Sequence, residues 1–206
     1  MFITFTLKPG DCWKWIPRPR RTKWLTVKQA LVIGSGSDIA KELMAHLVRD
    51  GWAVTGVAGR SWAIPVVSWD LLILAHGQLT PIGKFFDTSR YDWWKSVSLN
   101  GIAPLESLRT VWPQRLPGAT VIFICGPNMA NPSMSYSAYR AGKAILEALV
   151  MTLNAEYPEV RFKILRPGVV NTKIHRQSVE AGDKAANLER VLRIIHGEEK
   201  TVTHDE

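Results

Sequence analysis

The sequence has few cysteines and no long apolar run, and each of these features excludes a class of protein. Only two cysteines, Cys12 and Cys125, occur among 206 residues, too few for a disulfide framework and without the spacing of a metal site. No apolar run reaches the roughly 18 residues that a membrane span needs. The first ten residues, MFITFTLKPG, are interrupted by Lys8 and Pro9 too early to form a signal-peptide core. We therefore expect a cytoplasmic protein with no metal site and no membrane partner.

Acidic side chains are almost missing from residues 1–26. This segment holds six basic side chains and one acid, a net charge of +5 out of the +8 of the whole chain. Three tryptophans lie among these charges, and Pro17 and Pro19 interrupt any helix there. Such a mixture can bind nucleic acid, although a loosely ordered extension, or an arm that packs its tryptophans on a neighbour, is the favoured interpretation. We predict an N-terminal extension over 1–26 and a single domain over 27–206.

Within the domain, short apolar runs alternate with helical patterns. Five runs are typical of buried strands: 30–33, 52–59, 70–77, 119–126 and 160–168. Residues 39–51 repeat Ile39, Leu43 and Leu47 at four-residue intervals, which predicts a helix. Residues 91–112 predict a longer helix, bent at Pro104. Apolar strands that alternate with helices predict an α/β fold with a doubly wound parallel sheet.

The first predicted strand leads directly into the sequence GSGSD, residues 34–38. In a doubly wound fold this first strand–helix turn is a place where phosphate binds. Glycines let the backbone turn tightly, serines add hydroxyl groups, and the start of the following helix offers free N–H groups to an anion. The alternative is an ordinary turn in which Asp38 caps the helix.

A second motif lies in SAYRAGKAILEALV, residues 137–150. The pattern predicts an amphipathic helix, and Tyr139 and Lys143 share one face of it because they are four residues apart. A nearby ammonium can lower the pKa of a phenol. The pair is therefore a candidate acid/base site, although the same spacing also occurs by chance.

Together, four motifs over residues 29–174 resemble those of the short-chain dehydrogenase/reductase family. The glycine-rich turn of the family, Gly-x-x-x-Gly-Ile-Gly, corresponds to residues 34–40, and its Asn-Ala-Gly corresponds to 75–77. Its Tyr-x-x-x-Lys is Tyr139 to Lys143, and its Pro-Gly-x-x-x-Thr is 167–172. The resemblance implies a Rossmann-type fold and an NAD(P)(H)-dependent oxidoreductase that interconverts a carbonyl and an alcohol by hydride transfer.

The resemblance also implies roles for individual residues. Tyr139 would be the general acid/base, Lys143 would assist it and hold the nicotinamide ribose, and Ser98 would be a third catalytic residue at the asparagine position of the family. Arg60 lies where an acid would select NAD(H), so NADP(H) is favoured, with NAD(H) possible. The residues that would contact the cofactor are Gly34, Ser35, Gly36, Ser37, Asp38, Ile39, Arg60, Ala75, His76, Gly77, Tyr139, Lys143, Pro167, Gly168, Val170 and Thr172.

The chain departs from the family pattern in several places. Asp38 replaces a glycine of the turn, Gly126 stands where the family has its catalytic serine, and Asn100 is two residues out of register with the family asparagine. Only nine residues, 61–69, separate Arg60 from the next apolar run, so the sheet should be shortened between the second and fourth strands of the family. A cofactor-binding relative with little or no turnover is therefore the alternative.

The remaining expectations concern partners. We expect a small-molecule substrate bound partly by a short C-terminal segment. The resemblance also implies a homodimer or homotetramer that pairs through long helices, and Trp93, Trp94 and Trp112 could serve either that interface or the core.

Overall fold

The computed structural model describes residues 27–58, 64–126, 132–167 and 171–196. The predicted extension over 1–26 and the predicted cofactor residues Arg60, Gly168 and Val170 lie outside the described residues.

The strands are β1 (Gln29–Ile33), β2 (Ala53–Val57), β3 (Trp69–Leu74), β4 (Arg115–Ile124) and β5 (Arg161–Leu165). They form one parallel sheet in the order β2-β1-β3-β4-β5. The helices are α1 (Asp38–Arg49), α2 (Arg90–Val97), α3 (Ala103–Val111), α4 (Ser137–Glu156), α5 (Arg176–Ala181) and α6 (Leu188–Ile195). The five predicted strands and the doubly wound, Rossmann-like fold are confirmed.

Helices cover both faces of the sheet because successive strand residues point to opposite sides. On one face, Ala30 and Val32 of β1 pack with Leu43 and Leu47 of α1. On the other face, strand residues pack with side chains of α3 and α4 such as Leu108 and Leu146. The sheet core is thus buried on both sides, as its near-continuous apolar strands require.

The expected shortening lies between β2 and β3. The described residues of this connection, 58 and 64–68, contain no helix or strand. Ile64 and Val67 pack against the core on the face that also carries α3 and α4. Described residues without helix or strand therefore pack on this face, where the family pattern has a further helix and strand.

The long helix predicted over 91–112 is interrupted before Pro104 rather than at it. Residues Ser98–Ile102 form a π-helical segment between α2 and α3, and Pro104 lies in the first turn of α3, where its missing N–H group costs nothing. The segment lies very close to α4, because a Cβ on Gly101 would be 2.6 Å from the Gly142 carbonyl oxygen. The small residues beside Tyr139 and Lys143 thus permit two helices to touch.

Among the described residues, no helix is both long enough and apolar enough to cross a lipid bilayer.

Candidate active site

A cavity of about 510 Å³ opens at the carboxyl ends of β3 and β4, within the size range of small-molecule sites. The first turn of α1 and the start of α4 form two of its walls. A third wall comes from residues 172–196, called here the tail segment, which hold the 3-10 turn Lys173–His175, α5 and α6. The cavity therefore lies where ligands of doubly wound folds bind.

The cavity brings together most of the predicted site residues that the structure describes. Those that line it are Ser37, Asp38, Ile39, Ala75, His76, Gly77, Tyr139, Lys143, Pro167 and Thr172. Gly34, Ser35 and Gly36 form the turn that leads into α1 and are not part of the lining.

The turn is built for close approach of backbone segments. Gly34 has φ +90°, and a Cβ there would lie 2.8 Å from the Ala75 carbonyl carbon and oxygen, so a side chain is excluded on both grounds. The amides of Gly34 and Ser35 donate to the Val57 carbonyl at 2.9 and 3.0 Å. The Ser37 hydroxyl caps α1 by accepting from the Ala40 amide at 3.1 Å. These contacts place the start of α1 directly at the cavity.

Lys143 is buried in the cavity wall with 2% of its surface exposed. Its Nζ donates to the carbonyl oxygens of His76 and Ile124, at 2.7 and 2.8 Å. An ammonium has three donors, so one remains without a partner among the described residues. Burial lowers the pKa of Lys143 to about 8. A buried cation with a spare donor, held by two strand ends, suits a ligand hydroxyl.

Tyr139 lies one helical turn before Lys143, and the Lys143 Nζ is 5.9 Å from the centre of its ring. Its hydroxyl lies against Gly126: a Cβ on Gly126 would be 2.7 Å from that oxygen and 2.9 Å from ring carbon Cε1. The phenol of Tyr139 therefore occupies the space that a serine side chain at position 126 would need.

The protonation of Tyr139 differs from the expectation. Burial is the largest effect and raises its pKa above the ordinary value, with further increases from Cys125 and Glu147 and a decrease from Arg166. The predicted lowering by the Lys143 ammonium is therefore wrong for this structure. With its pKa raised, the Tyr139 phenol keeps its proton at neutral pH.

Ser98 does not line the cavity, contrary to its predicted catalytic role. It lies in the π-helical segment, half-buried, while Asn100 is fully buried. The Asn100 amide donates to the Gln78 carbonyl at 2.8 Å and accepts from the Gln78 amide at 3.0 Å. Asn100 thus fixes the chain just after Gly77 instead of facing the cavity.

Two further titratable groups border the cavity. His76 is 7% exposed, and its Nε2 lies 3.5 Å from the Ser107 hydroxyl, while Nδ1 has no hydrogen-bond partner among the described residues. Burial, aided by the Lys143 charge, lowers the pKa of His76 to about 4, so its ring is neutral. Burial likewise raises the pKa of the Cys125 thiol to about 11, so Cys125 is not a thiolate nucleophile at neutral pH.

Sequence reasoning missed most of the tail segment's contribution. The Gln177 side-chain oxygen accepts from the amides of Leu79 and Thr80 at 2.8 and 3.2 Å and ties α5 to the loop after β3. The buried Tyr136 hydroxyl contacts Ser178 Oγ at 2.9 Å and donates to Asn187 Oδ1 at 2.5 Å. No motif marks these residues, because only the fold brings them to the cavity.

Ser133 lines the cavity and supplies a hydroxyl near it, whereas Ser135 does not line it. His175 also lines the cavity. The described residues contain no cluster of three or more His, Cys, Asp and Glu side chains arranged to hold a metal ion.

The lining fits a nicotinamide dinucleotide. The start of α1 offers a helix N-terminus for the pyrophosphate, Lys143 offers its spare donor for a ribose hydroxyl, and Thr172 lies at the edge of the same cavity. Basic side chains outnumber acidic ones in the lining, where Arg140, Lys143, Lys173 and Arg176 face Asp38 and Glu180.

Comparison with known proteins shows which sequences this chain is similar to. The family profile described as short chain dehydrogenase matches residues 66–183, more than half of the chain. An uncharacterized oxidoreductase of Schizosaccharomyces pombe is 27% identical over 156 residues, which cover 70% of this chain and 63% of the relative. The chain therefore spans less than two thirds of the length of that curated relative.

Solved structures share the fold at low identity. A short chain dehydrogenase/reductase from Saccharomyces cerevisiae superposes with a TM-score of 0.69 at 18% identity, over 82% of this chain and 83% of that one. A small-chain dehydrogenase in complex with NADPH superposes with a TM-score of 0.68 at 17% identity, over 73% and 74% of the two chains.

Proposed function

The chain belongs to the short-chain dehydrogenase/reductase family, and from that premise we propose that it is an NADP(H)-dependent oxidoreductase that interconverts a carbonyl and an alcohol. One observation carries the proposal. The buried Lys143 ammonium and the Tyr139 phenol line the same cavity as the N-terminal turn of α1.

In this proposal the cofactor supplies or accepts the hydride when it is bound. Tyr139 handles the proton: burial raises its pKa, so at neutral pH its hydroxyl carries the proton that a carbonyl oxygen takes up during reduction. A pKa nearer the working pH would make the phenol a stronger acid. Lys143 holds a ribose hydroxyl, and Thr172 and Pro167 border the same cavity.

The charge of the lining supports a polyanionic cofactor. Four basic side chains against two carboxylates give the cavity an excess of positive charge, which strengthens binding of phosphate groups. A structural neighbour was solved in complex with NADPH. We therefore favour NADP(H) over NAD(H), with Arg60 as the proposed partner of the additional phosphate.

The alternative, a cofactor-binding protein with little turnover, is favoured by one specific observation. Gly126 offers no hydroxyl, and the Tyr139 oxygen lies where a serine would stand. Loss of one preorganised donor in a well-studied protease costs about 2.7–4 kcal/mol of transition-state stabilisation. That cost slows a reaction without removing the proton donor.

Fluorescence titration and turnover together test the proposal. We expect NADPH to quench the tryptophan fluorescence of the protein, with weaker binding of NADH. With a panel of small carbonyl compounds, Tyr139→Phe should lower turnover by roughly 10²- to 10⁴-fold and leave NADPH binding unchanged. Tyr157→Phe changes a tyrosine at the far end of the same helix and should leave both unchanged.

The outcomes of this experiment separate the two functions. Failure of both nicotinamide cofactors to bind at millimolar concentration rejects the oxidoreductase and the cofactor-binding alternative together. Binding without turnover on any carbonyl or alcohol of the panel rejects the oxidoreductase and supports the alternative.

We also propose that the protein forms a homodimer or homotetramer through α2 and α4, which pack side by side. Tyr91 and Trp94 of α2 and Met151 of α4 are exposed in the single chain, by 70%, 62% and 54%. Exposed aromatic groups on paired helices are typical of an interface. Light scattering at micromolar concentration tests this proposal, and a monomer contradicts it.

A further inference from the structure

The start of α1, with the turn before it, touches the start of the tail segment, and Asp38 and Lys173 both line the cavity. The Lys173 backbone amide donates to Asp38 Oδ2 at 2.7 Å, and the Lys173 ammonium donates to the Gly36 carbonyl oxygen. The same ammonium lies 3.8 Å from Asp38 Oδ1. Main chain and side chain of one residue thus both engage the turn, 135 positions away in sequence.

Asp38 creates an electrostatic conflict for the proposed cofactor. A carboxylate in the first turn of a helix is favourable on its own, because the helix N-terminus is positive. A pyrophosphate would use that same terminus, and two like charges in one place disfavour each other. The family pattern has a glycine at position 38 and avoids the conflict.

We propose that Lys173 is the residue that makes cofactor binding compatible with Asp38. Its ammonium offsets the carboxylate and adds positive charge beside the start of α1. Lys173 is therefore an affinity-determining residue for the cofactor phosphates, supplied by the tail segment. This inference depends on the proposed function, because it assumes that the cavity takes a nicotinamide dinucleotide.

The same contact has an opposite interpretation, in which Lys173 is a strap that blocks the cleft. The two interpretations predict opposite effects of removing Lys173 on cofactor affinity. If Lys173 offsets Asp38, its removal weakens cofactor binding, whereas if it is a strap, its removal strengthens binding. The exposure of the two side chains favours the interpretation in which Lys173 offsets Asp38. Lys173 is 52% exposed and Asp38 37% exposed, so the contact lies at the cavity rim and does not fill its interior.

The test is a set of NADPH dissociation constants measured by fluorescence titration. Lys173→Ala should weaken binding by about three- to tenfold at low salt, and Lys173→Arg should stay close to the original protein because it keeps the charge. Asp38→Asn keeps an oxygen that can accept from the Lys173 amide but removes the charge, so it should tighten binding. Lys184→Ala, in the same segment outside the cavity lining, is the matched control and should change nothing.

The double variant Asp38→Asn/Lys173→Ala measures the coupling directly. Lys173→Ala should cost less in the Asp38→Asn background than alone, and the difference should shrink at high salt as charges are screened. Thermal unfolding of each variant checks that the fold is retained, as expected for exposed side chains.

Each result decides between the proposals. Unchanged or tighter NADPH binding by Lys173→Ala overturns this inference and leaves the proposed function standing. Equal costs of Lys173→Ala in both backgrounds also overturn it, because Asp38 would then not be the reason for the lysine. Failure of the unmodified protein to bind either nicotinamide cofactor rejects the proposed function, and this inference with it.

Discussion

Adding a side chain at position 126 should destabilise the protein through a collision with Tyr139. The structure leaves no room for a Cβ there, since it would lie 2.7 Å from the tyrosine oxygen and 2.9 Å from Cε1. Such distances are below van der Waals contact, so the tyrosine ring has to shift. We therefore choose Gly126→Ala, the smallest change that introduces the collision.

The expected magnitude follows from the cost of overpacking. Inserting atoms into a packed site costs about 1–3 kcal/mol, and in a chain of this size each kcal/mol lowers the melting temperature by about 2–4 °C. Loss of glycine also restricts the unfolded chain, which returns about 0.4–1 kcal/mol. A net loss of about 1–2 kcal/mol in the free energy of unfolding is expected.

Urea unfolding measures this loss, and Gly77→Ala supplies the control. A Cβ on Gly77, in the same cavity wall, would lie 3.6 Å from Ile174 Cδ1, an ordinary contact. Gly77→Ala should therefore be neutral or slightly stabilising. Tyr139→Ala removes the colliding ring, so Gly126→Ala should cost almost nothing in that background.

Equal stability of Gly126→Ala and Gly77→Ala would refute the reasoning, as would an undiminished cost in the Tyr139→Ala background. The same collision should also affect activity. Gly126→Ser restores the hydroxyl of the family pattern, yet it should lower turnover, because the serine displaces the proton donor while NADPH binding remains.

Three further predictions concern buried polar groups and are measured by urea unfolding. His76 has a pKa lowered from 6.5 to about 4, so between these pH values the unfolded chain binds a proton that the folded chain does not. The free energy of unfolding should therefore fall by about 3 kcal/mol from pH 7 to pH 4 relative to His76→Asn. The same pH dependence of stability in both proteins would contradict this. Lys143 has a pKa lowered from 10.5 to about 8, so stability should rise between pH 8 and 10 relative to Lys143→Met, whereas a constant difference between the two would disprove the assignment. Asn100→Leu leaves the Gln78 amide and carbonyl, which are partly buried, without their partner and should cost about 1–3 kcal/mol in total. A loss below 0.5 kcal/mol would show that water replaces the amide.

The fold was predictable because its signals are local. The apolar runs of the strands and the glycines between β1 and α1 are contiguous in sequence, and the shortening was visible as a simple lack of residues between 60 and 70. Tyr139 and Lys143 were placed correctly on one helix wall because helical spacing fixes which residues share a face.

The rest of the site depends on contacts between distant segments. The π-helical segment that turns Asn100 towards Gln78 arises where two helices touch at Gly101 and Gly142, and no local pattern encodes it. The Tyr139 pKa was mispredicted because a sequence shows a neighbouring charge but does not show the depth of burial. Lys173 was missed because its partner is 135 residues away.

The five-stranded sheet has a consequence for how the protein behaves in concentrated solution. β2 and β5 lie at its two borders, and the described residues provide neither with a second strand neighbour. Unpaired backbone groups along such a border can recruit a strand from another molecule. We therefore expect the protein to self-associate through these borders at high concentration, which light scattering over a concentration series would test.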